Sequence, residues 1–250
     1  MTRPPPLTAI VLAAGYGTRM YPLTEKTPKA LLPVGGRPIL EHLESKLAAP
    51  AAGVRQVVLV SNHRFAEAFR RWRAGRPGLP WVVLDDGTTS EENRLGSMGD
   101  LAFAIRSVKL DAEDILVLGS DNLFQEELAG LCSFARMKTG VTLGAYELPD
   151  RQRARLYGVL SVDAQDRITR FDEKPPRPAS ALISTAVYFF PRTSIPLVLE
   201  YVALEKNADR LGTFVSWLVG REPVFAYRFR GAWVDIGDAE SYSQAQEVFP

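Results

Sequence analysis

The chain has 250 residues, with 30 Lys and Arg against 29 Asp and Glu for a formal net charge of +1, and 46% of it is hydrophobic. That length buries a sizeable core, and a balanced charge without any run of Lys or Arg excludes the basic footprint of a nucleic-acid binder. A single Cys132 excludes an internal disulfide, two histidines (His42 and His63) speak against a His-rich zinc site, and no stretch reaches the roughly 20 apolar residues that span a bilayer. The opening six residues are polar and proline-rich, without the apolar centre of a signal peptide, so the expected compartment is the cytosol.

In chain order, residues 7–13 form an apolar run ending in small residues, which predicts a buried parallel strand. The spacing of Ile39, Leu40, Leu43 and Leu47 predicts a helix over 39–48. A strand follows at 56–60. Asn62 is placed to cap a helix that turns Phe65, Ala68, Phe69 and Trp72 inward. Further strands are expected at 81–84 and 115–119, with helices at 98–107 and 126–137. Beyond these, strands are expected at 141–147, 158–162, 168–171 and 186–190, and helices at 195–205 and 213–219. Strands at 224–229 and 233–236 and a helix at 239–248 close the chain. Trp72, Trp81 and Trp217 read as core residues.

Strands alternating with helices imply an α/β fold: a Rossmann-like, mostly parallel mixed sheet with helices on both faces. Such sheets bind ligands at the carboxyl ends of their strands, so the loops after Ala13, Leu84 and Gly119 are the ones to inspect. The first of these is Ala14-Gly15-Tyr16-Gly17-Thr18-Arg19. Glycines after a buried strand let backbone N–H groups cradle phosphate oxygens, and Arg19 adds a planar cation. No Gly-Lys-Ser/Thr follows, and Met20 stands where a third glycine would complete a dinucleotide fingerprint. Taken alone, the glycine pair reads equally well as a strand-to-helix turn. The next segment, Thr27-Pro28-Lys29-Ala30-Leu31-Leu32-Pro33-Val34, holds a lysine on a backbone stiffened by prolines, where it can be aimed at one place.

Leu12-Ala13-Ala14-Gly15-Tyr16-Gly17-Thr18-Arg19 followed by Pro28-Lys29-Ala30-Leu31-Leu32-Pro33 closely resembles the opening of the sugar-nucleotide pyrophosphorylases, the sugar-1-phosphate nucleotidyltransferases. The resemblance implies one nucleotidyltransferase domain over 1–250, with a nucleotide-binding half at about 7–137 and an acceptor-binding half at about 138–250. It implies that Ala13, Ala14 and Gly15 face the base and ribose, that Gly17, Thr18 and Arg19 hold the β- and γ-phosphates, and that Lys29 sits on the α-phosphate. It also implies Mg2+ held by Asp121, at the end of Ile115-Leu116-Val117-Leu118-Gly119-Ser120-Asp121, and by Asp235 in Trp233-Val234-Asp235-Ile236-Gly237. Asp238 is a weaker candidate, because a helix cap is wanted before Ala239.

Tyr157-Gly158-Val159 and Phe171-Asp172-Glu173-Lys174-Pro175 resemble the family's acceptor segments. By that resemblance Gly158 and Glu173 bind sugar hydroxyls, Lys174 holds the acceptor phosphate, and Thr185 contributes a side-chain contact, with Ala186 replacing a family glycine. The loop 85–99 departs most. Gly96 and Gly99 resemble the family's turn, with Gly96 against the base, and Glu91 stands where a glutamine is usual, which leaves the base preference open. The implied reaction joins a nucleoside triphosphate to a sugar 1-phosphate. A non-sugar phosphate such as phosphocholine, an inositol phosphate or a phosphonate is the alternative acceptor. A catalytically silent nucleotide-sugar-binding subunit is the alternative of a different class. A glycosyltransferase fits less well, because Asp121 is followed by Asn122 and Leu123 and not by a second aspartate two residues on. No nucleic-acid or membrane partner is expected, and homo-oligomers are implied by the resemblance alone.

Overall fold

The structure is a computed structural model that describes residues 4–205 and 209–250. Met1, Thr2 and Arg3, at the start of the proline-rich opening, lie outside the described residues. In chain order, β1 (Leu7–Leu12) leads through a short ribbon, β2 (Pro33–Val34) and β3 (Arg37–Pro38), into α1 (Ile39–Leu47), β4 (Val54–Ser61), α2 (His63–Arg73) and β5 (Trp81–Asp85). Next come α3 (Gly96–Val108), β6 (Asp114–Gly119), β7 (Asn122–Phe124), α4 (Leu128–Lys138) and β8 (Val141–Glu147). The rest comprises β9 (Gly158–Val162), β10 (Ile168–Glu173), β11 (Leu182–Phe190), α5 (Ile195–Leu204), α6 (Leu211–Val219), β12 (Val224–Arg228), β13 (Trp233–Asp235) and α7 (Ala239–Val248).

One nine-stranded sheet runs β10-β9-β11-β6-β1-β4-β5, and β8 joins it between β11 and β12. β1 is parallel to both of its neighbours, β4 and β6, and β4 is parallel to β5. The second half of the chain enters through antiparallel pairs of β11 with β6, β8 and β9. The period of two along a strand explains how this sheet is covered. Ile10, Val58, Val60, Ile115 and Val117 face a core shared with α3, α5 and α6. Their neighbours in sequence, Ala9, Val11, Val57, Leu59, Leu116 and Leu118, face a second core with α1, α2 and α4. Strands buried on both faces therefore read as continuous apolar runs. A third, smaller core of Met20, Leu32, Val34, Ile39, Leu123, Val234, Ile236 and Ala245 packs α7 against the β2–β3 ribbon and the β7–β13 pair.

The expected elements are present, with shifted ends that have local causes. Asn62 caps α2 as expected, Oδ1 accepting from the Phe65 amide at 3.1 Å. Ala66, and not Ala68, completes the buried face of α2 with Phe65 and Phe69. Trp72 and Trp81 pack edge-on with centroids 5.2 Å apart. α4 starts at Leu128 and not at 126, because Glu126 and Gln125 are engaged elsewhere: their side chains accept from the Arg230 and Ala232 amides at 2.8 and 2.9 Å. β7 was not expected at all. β11 starts at Leu182, four residues before the anticipated strand. Its register shifts between Ser184 and Tyr188, where Ala186 takes a left-handed φ of 55°. No helix among the described residues is long and apolar enough to cross a membrane.

Candidate functional site

The carboxyl ends of β1 and β6, together with the segment that follows β5, open onto one cavity of about 500 Å³. β1 is flanked by strands that the chain reaches in opposite directions, the place where open parallel sheets bind ligands. Two of the three loops singled out from the sequence, those after β1 and β6, line it directly, and the third leads to its wall at Glu91 and Arg94.

Backbone pairing positions the first loop. The Ala13 amide donates to the Val60 carbonyl at 2.8 Å, and the Ala14 carbonyl accepts from Asn62 Nδ2 at 2.9 Å. Asn62 thus ties the loop to α2 with one end of its amide while capping the helix with the other. Gly15 has open space where a Cβ would stand, so the backbone there is bare to the cavity. Gly17 adopts φ +66°, a conformation that favours glycine, and its carbonyl accepts from Thr24 Oγ1 at 2.7 Å. Thr18 and Arg19 lie exposed on the short turn that follows, and the Arg19 guanidinium sits beside Gly237.

β7 and β13 bring the two candidate metal residues together. They pair with Asp235 opposite Asn122, and the Ile236 amide donates to the Asp121 carbonyl at 2.9 Å. Lys29, on a turn between Pro28 and Pro33, donates to Asp121 Oδ2 at 2.6 Å and to the Ile236 carbonyl at 2.8 Å. Asn122 Nδ2 donates to Asp121 Oδ1 at 2.9 Å and to Asp235 Oδ1 at 3.2 Å. Burial alone would raise the Asp121 pKa, and the charge and hydrogen bond of Lys29 together with the hydrogen bonds from Asn122 and the backbone more than offset it, holding that carboxyl below its usual value. Burial and the Asp121 charge push Asp235 up to about 7, against Lys29, Arg19 and Lys174. Asp238 instead caps α7, accepting from the Ser241 amide at 2.9 Å, as its position before Ala239 foretold.

Of the acceptor candidates, only Lys174, just past β10, lines this cavity; Gly158, Glu173 and Thr185 lie outside its lining. Gly158 pairs with Glu173, and its Cα lies against the Phe171 ring with no room for a Cβ. The Glu173 carboxyl packs over the Cα of Gly212 in α6, and burial raises its pKa against Lys174 and Arg210. Lys174 bends into a left-handed φ of 48°, its amide on the Tyr157 carbonyl at 3.0 Å, and its exposed side chain reaches the cavity. Thr185 differs from the expectation. It is fully buried, and its hydroxyl donates to the Gly144 carbonyl at 3.0 Å, because the β11 bulge turns it into the core beside β8. Gly96 lines the cavity at φ +74°, with Asp209 packed directly on its Cα.

Three groups escaped the sequence reading. Asn122 is buried and bridges both aspartates, and its Oδ1 accepts from Trp233 Nε1 at 2.9 Å. Its adjacency to Asp121 was the available signal. Asp100, one turn into α3, lines the cavity, and Asp86 from the loop after β5 lies against it. Nothing in a helical or strand period pairs residues so placed.

The nucleotidyl transferase family profile matches residues 8–249. A mannose-1-phosphate guanylyltransferase of Mycobacterium tuberculosis is 31% identical over 236 residues, 94% of this chain and 62% of that protein. The bifunctional protein GlmU of Methanocaldococcus jannaschii is 25% identical over 92% of this chain and 51% of its own length. The chain thus spans about half to two thirds of the curated relatives it matches. A crystal structure of UDP-glucose pyrophosphorylase complexed with UDP-glucose superposes with a TM-score of 0.82 at 18% identity, covering 97% of both chains, a likeness of fold. With its family profile running almost end to end and the same α/β architecture, the chain belongs to the nucleotidyl transferase family.

Proposed function

We propose that this cavity joins a nucleoside triphosphate to a sugar 1-phosphate, giving a nucleoside-diphosphate sugar and pyrophosphate. The observation that carries the reading is the convergence of Lys29, Asp121 and Asp235 through the β7–β13 pair, at the end of a glycine loop that also bears Arg19. Among the described residues, Arg19 and Lys174 have no carboxylate within ion-pair distance, so both are available to phosphate oxygens. The relatives' names point to the same chemistry with sugar phosphates.

The residues present fit magnesium. Among the described residues no group of three or more His, Cys, Asp or Glu gathers to form an all-protein cage. Two close carboxylates suit an ion that takes one or two of them and completes its shell with phosphate and water. Their mutual repulsion, visible in the raised Asp235 pKa, is what a divalent cation would relieve. Asp121 and Asp235 would hold the ion, which when bound supplies charge neutralisation at the phosphates.

The remaining steps belong to this chain's own groups. An acceptor phosphate oxygen forms the bond to the α-phosphorus, and the bond from that phosphorus to the bridging oxygen breaks in line, so pyrophosphate leaves with the electron pair. A phosphate monoester dianion is already a nucleophile and requires no protein base. Lys29, fixed by Asp121 and the Ile236 carbonyl, presents a preorganised ammonium, and Arg19 and Lys174 add charge on either side. The test is pyrophosphate release with magnesium, five triphosphates, and glucose 1-phosphate, mannose 1-phosphate or phosphocholine. Release with a sugar 1-phosphate supports the proposal. Release only with phosphocholine moves the reaction to a non-sugar acceptor, and silence of a folded chain that still binds nucleotide sugars points to a silent binding subunit.

A further inference from the structure

A second pair of aspartates lies far from the first, and Asp100 of that pair lines the cavity. Asp121 follows β6 and Asp86 follows β5, three strands away across β1 and β4, or about 14 Å at the usual strand spacing. Asp100 projects from α3 at that far end. It is 6% exposed, and the cavity is what it lines. Asp86 Oδ2 and Asp100 Oδ1 are both buried, and among the described residues neither receives a hydrogen bond from a donor. Two carboxyls in contact can satisfy each other only by sharing a proton.

The surroundings decide which of the two keeps it. Asp86 Oδ1 accepts from both the amide and the hydroxyl of Thr88, each at 2.7 Å, and that hydroxyl in turn accepts from Tyr16 at 3.3 Å. These donors occupy Asp86 Oδ1. Asp100 has no such donors among the described residues. Burial first, then the charge and hydrogen bond of Asp86 and the charge of Asp209, push it up to about 8. Asp100 therefore stands as the neutral acid, its proton committed to Asp86 from Oδ1, which leaves Oδ2 as a bare acceptor toward the cavity. Nearby, Arg94 is occupied by Glu91 and Asp209, and Arg210 by a long contact to Asp209.

We propose that Asp100, buttressed by Asp86, selects the nucleobase, and that the site takes a base bearing an amino group in preference to uracil or thymine. The inference rests on the nucleotidyl-transfer reading above. Electrostatics set the direction in which a nucleotide lies. Its phosphates go to Lys29, Arg19 and Lys174, and its uncharged base goes to the acidic end. There Asp100 and Glu91 offer acceptors, and Arg94 is engaged by Glu91 and Asp209. The amino group of cytosine, adenine or guanine donates to such a wall. Uracil and thymine present carbonyl oxygens around a single N–H, so lone pairs would face lone pairs, and a buried acceptor would go unpaired.

The test is calorimetric binding of ATP, GTP, CTP, UTP and dTTP to the full chain with magnesium. At least one amino-bearing triphosphate should bind roughly tenfold or more tighter than UTP and dTTP, the order of one buried hydrogen bond. UTP and dTTP share the base's hydrogen-bonding edge and differ in the 2′-hydroxyl and the 5-methyl group, so discrimination by either of these shows as a difference between those two. Asp100→Ala should bring the ratio close to one. Asp100→Asn should keep it, because the amide donates to Asp86 and turns its carbonyl to the cavity. Tightest binding of UTP or dTTP, equal binding of all five, or undiminished selectivity in Asp100→Ala overturns the proposal. Selectivity lost in Asp100→Asn overturns it too, should the alanine variant not fold. Failure of every triphosphate to bind removes the nucleotidyl-transfer reading itself, and the proposal with it.

Discussion

Two pairs of aspartates meet the cavity at opposite ends, each through one member, Asp121 and Asp100, and the pairs behave in opposite ways. At one end Lys29 donates to Asp121 at 2.6 Å, so that carboxyl stays charged, and its charge falls on Asp235. At the other end, among the described residues, no cation stands between Asp86 and Asp100, and the pair keeps a proton. One ammonium separates an anionic site that fits a cation from a neutral one that fits a base. The lesson is general: the count of carboxylates says little until their partners are known.

The largest effect comes from removing that ammonium. Lys29→Ala should lower the turnover of pyrophosphate release by about 10²–10³-fold while the far-UV circular dichroism stays native. It would also make the two ends alike. Full activity in this variant would contradict the role given to Lys29. Next is the proton on Asp235. Near and below pH 7 it must leave before a cation binds, so magnesium affinity should fall by up to about tenfold per pH unit as the pH drops below about 7. Magnesium titrations between pH 5.5 and 8.5 measure this, and a flat profile would show that Asp235 is not a ligand.

Asn122 holds the first pair in place. Asn122→Ala strands the buried Trp233 N–H and frees both aspartates, for a loss of about 1–3 kcal/mol in urea unfolding. An unchanged midpoint would deny the bridge any structural weight. The second pair has a signature of its own. Asp100 is raised from 3.8 to about 8, so the folded chain holds a proton that the unfolded chain releases. Its contribution is full below pH 4 and declines as the pH rises toward 8, by up to about 1.4 kcal/mol per unit. Asp100→Asn should flatten that slope between pH 5 and 8, and parallel slopes in the two proteins would remove the shared proton. The smallest effect lies outside both pairs. Ala186 at φ 55° takes a backbone region costly to a residue with a Cβ, and Ala186→Gly should stabilise by about 0.5–1 kcal/mol in thermal unfolding.

What could be read beforehand follows the same division. The strands around β1 were legible because burial on both faces leaves continuous apolar runs, and the Asn62 cap because its chemistry is local. Lys29, Asp121 and Asp235 were legible as motifs. Their meeting was not, since it depends on β7, a three-residue strand too short for any period, pairing with β13 far along the chain. Thr185 was misplaced because a bulge in β11 reverses which side chains face inward, and alternation alone cannot announce a bulge. The Asp86–Asp100 contact joins a loop to a helix, and only the fold brings them together.

The central claim, nucleotidyl transfer in this cavity, is tested most directly by following label. The chain is incubated with magnesium, a sugar 1-phosphate, and a triphosphate carrying 32P at either the α or the γ position. Transfer at the α-phosphorus predicts α label in the sugar nucleotide and γ label in pyrophosphate. Label from the γ position in the sugar product, or γ label released as orthophosphate with no sugar nucleotide formed, would contradict it.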